Sequence, residues 1–218
     1  MNRDFEFKQL LRAYRAGIIN EETFESEMAA IENGSSAGSN GTSGSFHCMG
    51  KTYKSEREAI VDFLDRSAAA ESAAGVAFAN WAKQCKTDCL RSGLRMIAER
   101  EAYHGRVFEQ RLRELGGSCQ AKLSDETLKF FACVNDTNLS DNEKLLRFNA
   151  LVSDPAAATQ PIRDFANLIK QDMETMEAVK LFHEDELSST KWLQYACAAL
   201  NAPAPAASAS ASSSQPSA

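Results

Sequence analysis

The sequence predicts an all-α protein: an antiparallel four-helix bundle with an irregular third arm, preceded by a small helical hairpin. Three observations predict it. Apolar residues recur at alternating three- and four-residue steps through three long stretches, the period of a buried helix face. Cap and stop residues bracket those stretches. Each stretch also carries polar or charged groups at mid-stripe, where the interior of a bundle can gather them.

Residues 3–32 form the hairpin. Phe5, Phe7, Leu10, Leu11 and Tyr14 make one apolar face, which stops at Gly17. Asn20 is a good N-cap for a second helix, with Glu21 and Glu22 in its first turn and Phe24, Met28 and Ile31 on its face. Two helices this short bury too little to stand alone, so the pair must pack on something. Residues 33–54 read as a flexible linker, on the strength of the Gly- and Ser-rich run from Asn33 to Ser45. The bundle occupies 55–200. Its first helix opens at Ser55, with Glu58 completing a capping box, and runs to about Gln84. Thr87 and Asp88 break the pattern, and a second helix continues to Leu115 before Gly116-Gly117 stops it. Ser124 and Ser140 open short helices, with Leu128 and Phe131 on the face of one and Leu145, Leu146, Phe148 and Leu151 on the other. Pro155 and Pro161 interrupt any long third helix, after which Ile162, Phe165, Leu168 and Ile169 resume an apolar face. A long last helix follows, and the Ala/Ser/Pro tail at 201–218 cannot build a core and is expected to be disordered.

The stripes carry the functional signal. In the second helix, Leu90, Leu94, Ile97, Glu101, His104, Phe108 and Leu115 share one face. In the first, Ile60, Leu64, Ser67, Glu71, Ala74, Phe78, Trp81 and Cys85 do the same, with Glu71 as the lone charge. An ionised Glu in a buried stripe is costly unless it is paired or coordinates a metal. Glu and His three residues apart lie on one face and can reach one ion. The turn near 85–88 falls midway between Glu71 and Glu101, so antiparallel folding brings the two level. The last helix repeats the pattern through Met176, Val179, His183, Glu186, Thr190, Leu193, Cys197 and Leu200. A metal site and a metal-free carboxylate network paired with His104 or an Arg both satisfy this pattern.

On these residues, 55–200 resembles the ferritin-like superfamily, nearest in style to rubrerythrin-like proteins. The resemblance implies a Glu, a Glu-x-x-His, a further Glu and a second Glu-x-x-His on successive helices, clasping two iron or manganese ions. Glu71 and Glu101-Ala-Tyr-His104 match the first two. Glu184-Asp-Glu-Leu-Ser-Ser-Thr-Lys-Trp192 resembles the last, with Glu186 on the ligand Glu but Ser189 where the His stands. The third-helix position falls near residue 156, which reads Pro-Ala-Ala-Ala; Glu143 and Asp154 are the nearby acids. His183, one turn before Glu186, is the candidate replacement for a lost ligand. The metal set is therefore Glu71, Glu101, His104, Glu186 and His183, with Glu99 and Asp185 as supporting acids or as solvated surface charges. Carboxylates with one imidazole suit Fe or Mn, as a single ion or an incomplete pair. At the N-terminus, Leu-Leu-Arg-Ala-Tyr-Arg-Ala-Gly-Ile-Ile-Asn-Glu-Glu resembles the SHOCT hairpin, which implies homo-oligomerisation; docking on the chain's own bundle is the alternative.

Net charge −6 and a pI near 5.2 argue against nucleic acid or an anionic membrane as the main partner. No apolar run reaches membrane-spanning length and the N-terminus lacks an apolar signal core, so a cytoplasmic location is expected. The six cysteines include no Cys-x-x-Cys pair, which excludes a zinc ribbon or a rubredoxin-type centre, and reduced thiols are expected. The expected function is that of a metalloprotein reacting Fe or Mn with dioxygen or peroxide, drawing electrons from an external reductant. The alternative is a metal-free scaffold acting in oligomerisation or partner binding. A site completed across a two-fold homodimer lies between them.

Overall fold

The computed structural model describes residues 20–32 and 46–202, with isolated positions 7, 10, 11, 14 and 15. Most of the predicted first hairpin helix, the Gly/Ser run to residue 45 and the tail beyond 202 lie outside the described residues. Among those described, the order is α1 (Glu21–Glu32), β1 (Phe46–Cys48), β2 (Lys51–Tyr53), α2 (Glu56–Gln84), α3 (Asp88–Glu114), α4 (Asp125–Asn135), α5 (Asp141–Leu151), α6 (Pro155–Leu168) and α7 (Met173–Asn201). The protein is mainly helical.

Local chemistry accounts for the boundaries. The Asn20 side chain accepts from the Thr23 amide at 2.8 Å at the start of α1, whose Phe24 stacks on Tyr14. Ser55 caps α2 by accepting from the Glu58 amide, while the Glu58 carboxylate reaches back one residue further, to the Lys54 amide. Ser140 and Glu143 form a full capping box at α5, and Ser124 caps α4. Gly116, at φ +75°, ends α3 in the left-handed conformation.

Two expectations need correction. Residues 46–53, expected within the flexible linker, form an antiparallel hairpin with Phe46 opposite Tyr53. Its turn residues, Met49 and Gly50, both have positive φ, as tight hairpins require. Cys48 and Tyr53 are buried against α2, and the Tyr53 hydroxyl donates to Asp62 at 2.6 Å. Pro161 does not interrupt a helix either. It lies inside α6, which Pro155 opens and Asp154 caps from its side chain.

α2 and α3 pack antiparallel along their length. Gly75 faces Ala102 and Gly105 faces Ser72, so closely that a Cβ on Gly105 would stand 2.9 Å from the Ser72 amide nitrogen. This close approach sets Glu71 beside Glu101. α7 also runs antiparallel to α3, fixed at one end by Trp192, which fills the space over Gly93. At the other end, buried Arg111 bonds to Thr175, Asp172 and Glu174. α5 and α6 pack on α7, and α4 on α2.

The core has two parts. One joins Phe63, Leu64, Phe108, Phe165, Val179 and Phe182; the other joins Phe78, Trp81, Leu94, Val134, Leu145 and Leu193. Glu71, Glu101, His104 and Glu186 lie between them in register. Leu128, Leu146 and Leu151, expected on buried faces, are exposed. All six cysteines are free thiols, and no described helix is long and apolar enough to cross a membrane.

Candidate metal centre

α2 supplies Glu71, α3 supplies Glu101 and His104, and α7 supplies Glu186. Ligand atoms from all four lie within 4.8 Å of one another, a group that could hold a metal ion. Glu71, Glu101 and His104 are buried; Glu186 is half-buried as a residue, but its Oε1 is wholly enclosed. Among the described residues, five enclosed side-chain polar atoms lack a hydrogen-bond partner. Three of them are Glu71 Oε2, His104 Nδ1 and Glu186 Oε1, all in this group. Buried polar atoms are normally paired, so three converging atoms without a partner single out this group, which could hold a metal ion.

The electrostatics agree. Burial, contact with Glu101 and the charges of Glu186 and Glu101 hold the Glu71 carboxyl well above the usual range. Burial and Glu101 do the same to Glu186, with Arg100 partly offsetting and Asp185 adding to the rise. Three carboxylates at this distance cannot all ionise without a countercharge.

The imidazole is oriented from outside the group. His104 Nε2 pairs with Asp185 Oδ2 at 3.0 Å, while Nδ1 points inward, 3.9 Å from Glu71 Oε2. A proton on Nε2 donated to Asp185 leaves the Nδ1 lone pair facing the carboxylates, the tautomer a ligand needs. Phe108 and Phe182 pack against the ring and exclude other partners. Asp185 thus takes the supporting position, whereas Glu99 is exposed.

His183 is buried on α7 but does not join the group. Glu143 caps α5 and Asp154 caps α6, and α6 contributes no carboxylate. Ser189, at the position where the resemblance implied a second His, accepts from Arg100 Nη1 at 2.9 Å, and the same nitrogen donates to the Asp185 carbonyl. Sequence reasoning missed Arg100, because an Arg beside Glu101 on an amphipathic helix reads as a solvated charge. It also missed the aromatic wall over the carboxylates. Phe130 and Phe131 from α4 and Phe148 from α5 line a half-open cavity of about 160 Å³ that reaches Glu71, Glu101 and Glu186. Only the apolar character of those short helices hinted at it.

No family model matches the chain, and neither curated proteins nor solved structures give a match.

Proposed function

We propose that the protein is a ferritin-like metalloprotein that holds one Fe(II) or Mn(II) ion between Glu71, Glu101, His104 and Glu186. The observation that carries this reading is the convergence of three orphaned, buried ligand atoms on one point. Oxygen donors with a single imidazole favour Fe or Mn over the softer metals. Arg100 supports a stoichiometry of one: its guanidinium, bonded to Ser189, sets a positive charge beside the group, which disfavours a second cation.

When bound, such an ion offers open coordination positions and one-electron chemistry to dioxygen or peroxide. The chain's own residues do the rest. Glu71 and Glu186 would give up the protons that burial favours, and the three carboxylates would balance the ion's charge. Asp185 keeps His104 in the ligating tautomer, and Arg100 holds Asp185 in place through a 3.4 Å ion pair. Electrons must come from a separate reductant, since no cysteine lies in the group.

Elemental analysis of protein purified without chelator tests the reading. About one Fe or Mn per chain, lost in Glu101→Ala and in His104→Ala, is the expected result. A wild type that stays metal-free after anaerobic Fe(II) loading favours the scaffold reading.

A further inference from the structure

We infer that the cavity above the carboxylates is a binding site for a small, neutral, apolar molecule, seated against the metal end of the site. This rests on the proposed metal reading for its role, though not for the cavity itself. The cavity measures about 160 Å³. An enclosed, wholly apolar cavity of about 150 Å³ holds benzene, so by volume this half-open, acid-floored space admits a molecule of roughly that size.

Its lining is sharply divided. The floor is Glu71, Glu101 and Glu186, three residues from two long helices and the last one. The walls and roof include Phe78, Phe130, Phe131, Phe148, Ile97 and Leu193. Phe130 stands at the centre of this wall, with ring centroids 6.3 Å from Phe78, 5.7 Å from Phe131 and 6.0 Å from Phe148. Ser189 and Thr190 add hydroxyls at the edge, and that of Ser189 is engaged by Arg100. A sugar, phosphate or peptide would find few partners on such walls and would lose its hydration. An anion would also meet the carboxylates. A neutral aromatic or short aliphatic molecule gains from the phenyl faces and needs no polar partner.

His104 does not line the cavity; it lies behind the carboxylates against Phe108 and Phe182. The open side of the group therefore faces the aromatic chamber, and a molecule held there sits next to the ion. The phenylalanine side of the cavity comes from α4 and α5, which carry no member of the carboxylate–imidazole group.

The test uses full-length protein and benzene as the probe. Saturation transfer from protein to benzene is measured with and without bound Mn(II), along with paramagnetic relaxation of the benzene protons in the loaded sample. We expect transfer in both forms and strong relaxation with Mn(II). Phe130→Trp, which adds bulk to the cavity from α4, an element that carries no ligand, should weaken benzene binding about tenfold or more and leave Mn(II) uptake intact. Phe148→Ala should shift preference toward the larger naphthalene. Folding of each variant is checked by its thermal transition. Absence of transfer in both forms of the wild type overturns the inference and leaves the metal reading standing. Transfer without Mn(II) uptake removes the metal reading and keeps the cavity. Binding that Phe130→Trp leaves unchanged, in folded protein, places the probe elsewhere and also overturns the inference.

Discussion

Glu71 and Glu186 are held in a folded state that resists their ionisation. In metal-free protein both keep protons that the unfolded chain releases above its ordinary value of 4.5. The folded state then binds more protons at these two groups than the unfolded one, so their contribution to stability is greatest at low pH and falls as pH rises toward the raised values. Glu71→Gln removes that penalty. We expect it to stabilise metal-free protein by about 1–3 kcal/mol at pH 8, read by urea unfolding, and to abolish metal uptake. Metal competes with the same protons, so affinity should rise with pH over the same window. Asp185 acts one step further out. Asp185→Asn should leave the fold intact and lower metal affinity about 10- to 100-fold in a competition titration, because Nδ1 of His104 would no longer be reserved for the site.

At the scale of elements, the site depends on how closely α2 and α3 approach. Gly105 and Gly75 allow that approach, and a side chain at 105 meets the backbone of Ser72 as well as its hydroxyl, 2.5 Å away. Gly105→Ala must part the helices next to Glu71 and Glu101. A loss of about 1–3 kcal/mol in stability is expected, together with weaker metal binding. The α2–α3 turn is stapled by Asp141 from α5, which accepts from Trp81 Nε1 at 2.9 Å, the Lys86 amide at 3.1 Å and Thr87 Oγ1 at 3.3 Å. Burial alone would raise the Asp141 carboxyl, but these hydrogen bonds and that from Cys85 outweigh it and hold it below its usual value. Its contribution is therefore present at neutral pH and lost as pH falls through that lowered value. Asp141→Ala should cost about 1–3 kcal/mol at pH 7, read by thermal unfolding, and cost less in acid.

The periodic parts of the molecule were readable from the chain because their signal is local. The stripes through Glu71, Glu101, His104 and Glu186 state which face is buried, and the serines at 55, 124 and 140 state where helices begin. Pro161 misled because a proline breaks a helix only where neighbours cannot absorb the lost bond, and the sequence does not show the neighbours. The 46–53 hairpin was hidden by the Gly/Ser run before it, although Met49-Gly50 is a workable turn. Arg100 and the phenylalanine roof depend on contacts between residues far apart in the chain, such as Arg100 with Ser189 and Phe78 with Phe130. No spacing rule reports those.

For the molecule as a whole, an acidic group set between two apolar cores is a liability unless a cation joins it. Bound metal should therefore raise the thermal midpoint in proportion to its affinity. The most direct measurement is an anaerobic Mn(II) titration at neutral pH, following loss of the free-ion electron paramagnetic resonance signal. The account predicts one Mn(II) taken up per chain at micromolar concentration or below, and none by Glu101→Gln. A free-ion signal that rises from the first addition, with folded wild-type protein present, would contradict it.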